Sequence, residues 1–161
     1  MQYENRSDRY RFKRLNIMKK DRILSVTKSF DIRFSEVDSM GVVWHGHYAI
    51  YFEDAREEFG RKYDLEYLMM YDKGFFEPIV ELTFKYKQPL IYGMKPEIYI
   101  VYRPCDAAKI IFDYEIRDPQ TKEVYVTGHS VQVFMDKNTH QLVLYSPEFY
   151  EEWKKRWEVN V

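Results

Sequence analysis

The chain has 161 residues, of which 45% are hydrophobic, 18% aromatic and 32% charged, and its formal net charge is −1. This length fills one core and is short for two domains, while the small net charge gives no overall attraction to nucleic acid. The mean hydropathy of −0.59 and the lack of a long apolar run argue against a membrane-spanning protein. Cys105 is the only cysteine, so the sequence predicts no internal disulfide and a reducing, cytoplasmic location.

The first 22 residues form a basic segment that precedes any regular pattern. They contain eight basic and three acidic residues, a net charge of +5, against −6 for the rest of the chain. Residues 9–14 alternate basic with aromatic side chains, a pattern that can bind phosphates and bases. A solvated terminus is the commoner explanation, so we predict no nucleic-acid partner. We also predict no signal peptide, since no apolar stretch follows. The predicted organisation is a basic tail, residues 1–22, and one domain, residues 23–161.

Residues 23–34 open the regular part of the chain. They alternate apolar and polar side chains, which predicts a half-buried strand. The residues on its buried side are Val26, Phe30, Ile32 and Phe34. After a loop containing Gly41, apolar residues recur at intervals of three and four, which predicts an amphipathic helix of about four turns. The buried side of this helix consists of Tyr48, Tyr51, Phe52, Ala55 and Phe59.

The remaining chain predicts one short helix, four strands and a final helix. The short helix covers residues 65–71, and the strands cover residues 76–87, 95–103, 108–117 and 123–135. Ser146 is predicted to cap the final helix, which runs from Pro147 to Trp157. This order predicts an α+β fold in which one curved antiparallel sheet of about five strands wraps around the long central helix. Such a sheet leaves an exposed edge, so we expect a homodimer or homotetramer.

The loop before the long helix concentrates the residues that suggest chemistry. Asp38 lies on this glycine-containing loop, which leads directly to a helix start whose unpaired N–H groups can stabilise an oxyanion. A carboxylate there can act on a substrate or merely cap a turn. His45 and His47 form an H-x-H pair, but no third ligand stands at a suitable spacing. We therefore predict no metal site, and we predict no cofactor.

The run Asp38-Ser-Met-Gly-Val-Val-Trp-His45, followed by Tyr48, Phe52, Glu53 and Arg56, resembles the signature of hotdog-fold thioesterases. It is similar in particular to the 4-hydroxybenzoyl-CoA thioesterase-like group, which includes the acyl-CoA thioesterases associated with the Tol-Pal system. The resemblance extends over roughly residues 25–145 and implies the hotdog fold, a curved sheet around a central helix.

The resemblance also implies roles for individual residues. Asp38 stands at the position of the catalytic carboxylate, which is either a nucleophile or a general base that activates water. His45 stands where a backbone N–H polarises the thioester carbonyl. Val37 replaces the threonine that is frequent before the aspartate. The implied substrate-binding positions are Val43, Trp44, Gly46, Tyr48, Phe52, Glu53, Gly128 and Ser130.

The implied reaction is hydrolysis of an acyl-CoA thioester to a free acid and coenzyme A. Because the leaving group is a thiolate, this reaction needs a water activator and a carbonyl polariser more than a strong acid. Lys85, Lys87 and Arg103 could contact the phosphates of coenzyme A, or the lysines could protect a sheet edge from aggregation. Two alternatives remain open: another hotdog enzyme, such as a thioesterase acting on acyl carrier protein, and a non-catalytic acyl-CoA sensor.

Overall fold

The computed structural model describes residues 22–159. All of the predicted basic tail except Arg22, and the last two residues of the predicted domain, lie outside the described residues. Within 22–159, no helix combines the length and the apolar composition that crossing a membrane requires.

Five antiparallel strands form the main sheet. They are β1 (Ser25–Ser29), β3 (Ile79–Tyr86), β4 (Glu97–Tyr102), β5 (Lys109–Arg117) and β6 (Val124–Val133), arranged in the order β1-β4-β5-β6-β3. A separate pair joins β2 (Phe75–Phe76) to β7 (Met135–Asp136). The alternating burial along β5 is typical of a sheet with one covered face. The α+β prediction is confirmed, and β3 and β1 are the two edges.

The long helix α1 (His47–Tyr63) lies against the covered face of the sheet. The ring of Phe52 stacks on that of Tyr114 in β5, with centroids 4.1 Å apart and planes 6° from parallel. Gly128 of β6 lies directly opposite Tyr114, and a Cβ added to it would stand 2.0 Å from the Phe52 ring. A glycine at this position therefore lets the helix approach the sheet closely.

The predicted first strand is wrong at its end. β1 stops at Ser29, and the chain then forms a single 3₁₀ turn over Phe34–Glu36. This turn breaks the alternation, so Phe34 points outward with 76% of its surface exposed, although its parity predicted burial. Glu36 takes the buried position instead, because its carboxylate has hydrogen-bond partners there.

Two shorter helices complete the fold, α2 (Tyr67–Asp72) and α3 (Glu148–Arg156). Pro147 rather than the predicted Ser146 is the capping residue of α3, because its extended backbone (φ −58°, ψ 146°) lies just outside the first helical turn. The indole Nε1 of Trp153 donates a hydrogen bond of 2.6 Å to the carbonyl oxygen of Tyr63. Helix α3 is thereby fixed to the C-terminal end of α1, away from the loop that carries Asp38.

Candidate active site

Asp38 occupies a tight hairpin between the 3₁₀ turn and α1. Its backbone N–H donates to the carbonyl of Val42 at 2.8 Å, and its carbonyl accepts from Gly41 at 2.9 Å. Gly41 has φ of 76°, a left-handed conformation that glycine adopts without strain. Oδ1 of Asp38 accepts the N–H of Met40 at 2.8 Å, whereas Oδ2 has no donor among residues 22–159. The turn thus holds one carboxylate oxygen, and no hydrogen bond from residues 22–159 holds the other.

The hairpin is anchored to residues 90 and 91 and closed by its own pairing. Val43 N–H donates to the carbonyl of Leu90 at 2.8 Å, and Val42 forms an isolated antiparallel bridge with Ile91. Within the hairpin, Val37 pairs with Val43. Asp38 is therefore carried by a fixed turn and not by a free loop.

The chain enters α1 without a side-chain cap. Gly46 is the capping residue, in a helical conformation, and no side chain accepts the N–H groups of the first turn. The Trp44 ring lies over Gly46, where a Cβ would stand 2.0 Å from it. Among the described residues, the N–H of His45 has no acceptor. Unpaired donors at a helix start can stabilise a negative charge that develops on a substrate oxygen.

A cleft of about 280 Å³ lies beside this helix start. It is lined by Val42, Val43, His45, Tyr48, Tyr86, Lys87, Gln88 and Pro89. The Tyr86 hydroxyl donates to the carbonyl of His45 at 3.1 Å, and its ring meets Tyr48 edge to face at 5.0 Å. Burial raises the pKa of both tyrosines, so their hydroxyls stay neutral near pH 7. The cleft thus has aromatic walls and one flexible cation, Lys87, at its side.

The structure brings half of the predicted site residues together around this cleft. Val43, His45 and Tyr48 line the cleft, and Trp44 lies over Gly46 at its helix end with half of its surface exposed. The side chain of Asp38 is outside the cleft lining, although Val42 and Val43 of the same hairpin belong to it.

The other predicted substrate-binding residues lie apart from this cleft. Phe52 is fully buried one turn behind Tyr48, and Glu53 is exposed on α1. Gly128 lies beneath the Phe52 ring, and Ser130 is fully buried with its Oγ 2.6 Å from the hydroxyl of Tyr114. Ser130 is therefore a core position, whereas Gly128 is partly exposed and lines a groove of about 340 Å³ on the sheet.

The three candidate cations for phosphate binding lie at two different places on the protein. Lys87 lines the cleft, whereas Lys85 and Arg103 border a groove of about 340 Å³ elsewhere on the sheet. There, Arg103 Nε donates to Asp113 at 2.6 Å, and the same carboxylate binds His129 Nδ1 at 2.7 Å. Burial acts to raise the pKa of Asp113, but these hydrogen bonds outweigh it and lower that pKa. Arg103 is thus already paired with a carboxylate.

Besides Val42 of the hairpin, three cleft residues were not predicted as site residues from the sequence: Tyr86, Gln88 and Pro89. The sequence shows them only as the end of a strand and a turn, and their distance from His45 along the chain hides the contact. For metal binding, a search of residues 22–159 finds no group of three or more histidine, cysteine, aspartate or glutamate side chains placed to hold an ion.

Residues 32–153 match the sequence profile of the Thioesterase-like superfamily, and the chain therefore belongs to that family. The predicted class, a thioester hydrolase with the hotdog fold, is confirmed. Among curated relatives, "Putative acyl-CoA thioesterase YneP" of Bacillus subtilis is 26% identical over 131 residues, which cover 81% of this chain and 94% of the relative.

Two solved structures illustrate the likeness in fold. The DHNA-CoA thioesterase from Staphylococcus aureus superposes with a TM-score of 0.72 and 26% identity, over 82% of this chain and 90% of that one. A mutant 4-hydroxybenzoyl CoA thioesterase complexed with 4-hydroxybenzoyl CoA gives a TM-score of 0.70 over 81% of this chain and 98% of that one. Its identity is 17%, so this second likeness concerns the fold alone.

Proposed function

We propose that this protein hydrolyses acyl-CoA thioesters to a free acid and coenzyme A, with Asp38 and the His45 N–H as the reacting groups. The single observation that carries the proposal is the hairpin, which carries a carboxylate with one oxygen that has no donor among residues 22–159 and leads, seven residues later, to an unpaired helix-start donor. The name of the Bacillus subtilis relative, which aligns over most of its length, supports the substrate class.

The proposed chemistry assigns one task to each group. Asp38 takes a proton from water, and the resulting hydroxide adds to the thioester carbonyl carbon. The carbonyl oxygen gains the negative charge, and the N–H of His45 stabilises it. Collapse of this intermediate breaks the C–S bond and releases a thiolate, which is a good leaving group because a thiol pKa is about 8.5. If Asp38 instead attacks the carbonyl carbon directly, the thiolate leaves and a mixed anhydride forms. When water then attacks the Asp38 carbonyl of this anhydride, one turnover in ¹⁸O-water places the label in the Asp38 carboxylate.

The cleft suggests how the substrate lies. The walls of Tyr48 and Tyr86 are aromatic and neutral, which suits an apolar or aryl acyl group. Lys87 is free to approach a phosphate of coenzyme A as a point charge. Preference for an aryl group is also consistent with the name of the Staphylococcus aureus structural relative.

We also propose that the working form is a homodimer or homotetramer. The strand β3 is a sheet edge, and Ile79, Val80 and Tyr86 on it are 38%, 60% and 51% exposed. An exposed edge strand can pair with a strand of another chain, and two copies joined through β3 would continue one sheet across both. Because Tyr86 also lines the cleft, such pairing would bring the partner chain to the site.

A turnover panel tests the proposed function. The full chain is incubated with aliphatic and aromatic acyl-CoA thioesters and with acyl carrier protein thioesters, and free thiol is measured over time. We expect hydrolysis of acyl-CoA substrates. Turnover only with the carrier-protein thioesters would show that the substrate is acyl carrier protein and not acyl-CoA. Tight binding of acyl-CoA without any turnover would indicate a sensor.

A further inference from the structure

The carboxylate of Glu36 is buried two residues before Asp38, and only 9% of the residue is exposed. Its Oε2 accepts two hydrogen bonds, from the hydroxyl of Tyr51 and from the backbone N–H of Arg33, both at 2.8 Å. Its backbone carbonyl accepts the N–H of Trp44 at 2.9 Å. A carboxylate that loses contact with water is costly unless it is hydrogen-bonded, so these partners explain why Glu36 can be buried.

These bonds connect three parts of the candidate site. Tyr51 belongs to α1, Glu36 begins the hairpin, and Trp44 ends it. Asp38 follows Glu36 by two residues, and His45 directly follows Trp44. Because the peptide plane between Trp44 and His45 contains the His45 N–H, fixing Trp44 also limits the direction of that donor. The Glu36 bonds therefore restrain both proposed reacting groups relative to the helix.

The Tyr51 hydroxyl stays protonated near pH 7. Burial is the main cause that raises the pKa of Tyr51 well above its ordinary value, and the neighbouring Glu36 carboxylate raises it further. The hydroxyl thus keeps its proton and continues to donate it. The ring of Tyr51 is itself buried and packs against Phe30 at 4.5 Å between centroids, so the donor has little freedom to move away.

We propose that Glu36 and Tyr51 form a positioning pair for the reaction, which sets the Asp38 carboxylate and the His45 N–H at their working separation. This inference rests on the proposed thioesterase function. Neither residue touches the substrate in this proposal, and each acts through the hairpin. A displacement of about 1 Å in reacting groups can cost about 10²-fold in rate, so the pair affects kcat far more than substrate binding.

The hydrogen bonds of Glu36 can be changed separately from its charge by a set of variants. Both bonds to the Glu36 side chain end on one oxygen, and a glutamine amide oxygen can accept both. Glu36→Gln therefore keeps the bonds and removes the charge, Glu36→Ala removes the bonds, and Tyr51→Phe removes one donor. Tyr63→Phe is the matched control, because Tyr63 is also buried on α1 and its hydroxyl donates to the carbonyl of Ser25 at 2.9 Å.

The test compares kcat, KM and the melting temperature of these four variants and the parent with the best acyl-CoA substrate. We expect Tyr51→Phe and Glu36→Ala to lower kcat at least tenfold with KM within twofold of the parent. Glu36→Gln should recover most of the kcat that Glu36→Ala loses, and Tyr63→Phe should lower only the melting temperature. If Glu36→Ala does not fold, Tyr51→Phe and Glu36→Gln still decide the question.

Two different failures are distinguishable. A parent enzyme that hydrolyses acyl-CoA, together with a Tyr51→Phe variant whose kcat equals that of Tyr63→Phe, overturns the positioning role alone. A parent enzyme that hydrolyses no thioester overturns the proposed function and this role with it.

Discussion

Gly128 allows the long helix to approach the sheet. An alanine Cβ at this position would stand 2.0 Å from the Phe52 ring and 2.9 Å from the carbonyl oxygen of Thr83. We expect Gly128→Ala to lower the free energy of unfolding by about 1–3 kcal/mol, the usual range for overpacking a core. Urea unfolding measures this loss. Combining Phe52→Leu with Gly128→Ala should recover part of the lost free energy, since the leucine removes the ring atoms that the new Cβ meets. If the losses of the two single variants simply add in the double variant, the proposed contact is contradicted.

Glu77 is a second residue whose burial has a measurable consequence. Its Oε1 is buried without a partner among the described residues, and burial raises its pKa from 4.5 to about 8. Between these two pH values the folded state holds a proton that the unfolded chain releases, so stability falls as the pH rises. Glu77→Gln removes this dependence. Its melting temperature should exceed that of the parent at pH 8 by more than at pH 5.

Glu81→Gln serves as the control for this pH effect, because Glu81 lies on the same part of the chain and is exposed. The same melting difference at both pH values for Glu77→Gln would contradict the assignment.

Single residues also mark the limits of sequence-based prediction. Asp38, His45 and Tyr48 were selected from a local motif, and their neighbourhood depends on one hairpin and one helix start. Gly128 and Ser130 were selected as substrate contacts, but which residues oppose them is set by strand pairing and by Phe52, more than 70 residues away in sequence. The buried role of Glu36 was missed, since a carboxylate normally indicates an exposed position.

At the scale of elements, the spacing of apolar residues predicted those helices and strands that have one buried face. The apolar spacing in α1 and the alternation in β5 are consequences of one covered face, so each was recognisable in the sequence. The end of β1 was not, because the 3₁₀ turn at Phe34–Glu36 contains neither glycine nor proline. The turn depends on a tertiary contact, because the Glu36 carboxylate accepts a hydrogen bond from Tyr51 of α1. No local sequence pattern predicts this contact.

Arg56 of α1 connects this helix to α2 and to β5. This buried guanidinium donates from Nε to the Tyr67 hydroxyl of α2 at 2.9 Å and from Nη1 to the Tyr114 hydroxyl of β5 at 3.2 Å. Removing it leaves two hydroxyls with fewer partners, so Arg56→Met should destabilise the fold by about 1–3 kcal/mol in urea unfolding. Arg61→Met, an exposed change on the same helix, is the control. Equal stability of the two variants would contradict this account.

At the scale of the whole molecule, the edge strand β3 predicts self-association. Val80 is 60% exposed on this edge, and a lysine there would place a charge in any strand pairing. We expect the parent chain to be a dimer or tetramer by light scattering at micromolar concentration, and Val80→Lys to shift it toward the monomer. Leu144→Lys, a change at an exposed residue outside all strands, should leave the assembly intact. A monomeric parent with full turnover would refute the proposed assembly.

The whole-molecule account depends most on Asp38, and one substitution separates its two possible roles. Asp38→Asn keeps an oxygen that can accept the Met40 N–H, as Oδ1 does now, but it removes the charge that the proposed general base requires. Asp136→Asn is the matched control, since its Oδ1 accepts two backbone N–H groups in a similar turn, from Asn138 at 2.9 Å and Thr139 at 2.8 Å.

The decisive measurement is acyl-CoA turnover by these two variants and the parent, with thermal unfolding recorded beside it. We predict that Asp38→Asn lowers kcat by roughly 10²-fold or more, the scale of a lost general base, while its melting temperature stays near that of the parent. Asp136→Asn should retain parental turnover. A stable Asp38→Asn variant with the turnover of Asp136→Asn would contradict the account and leave Asp38 with the role of a turn residue.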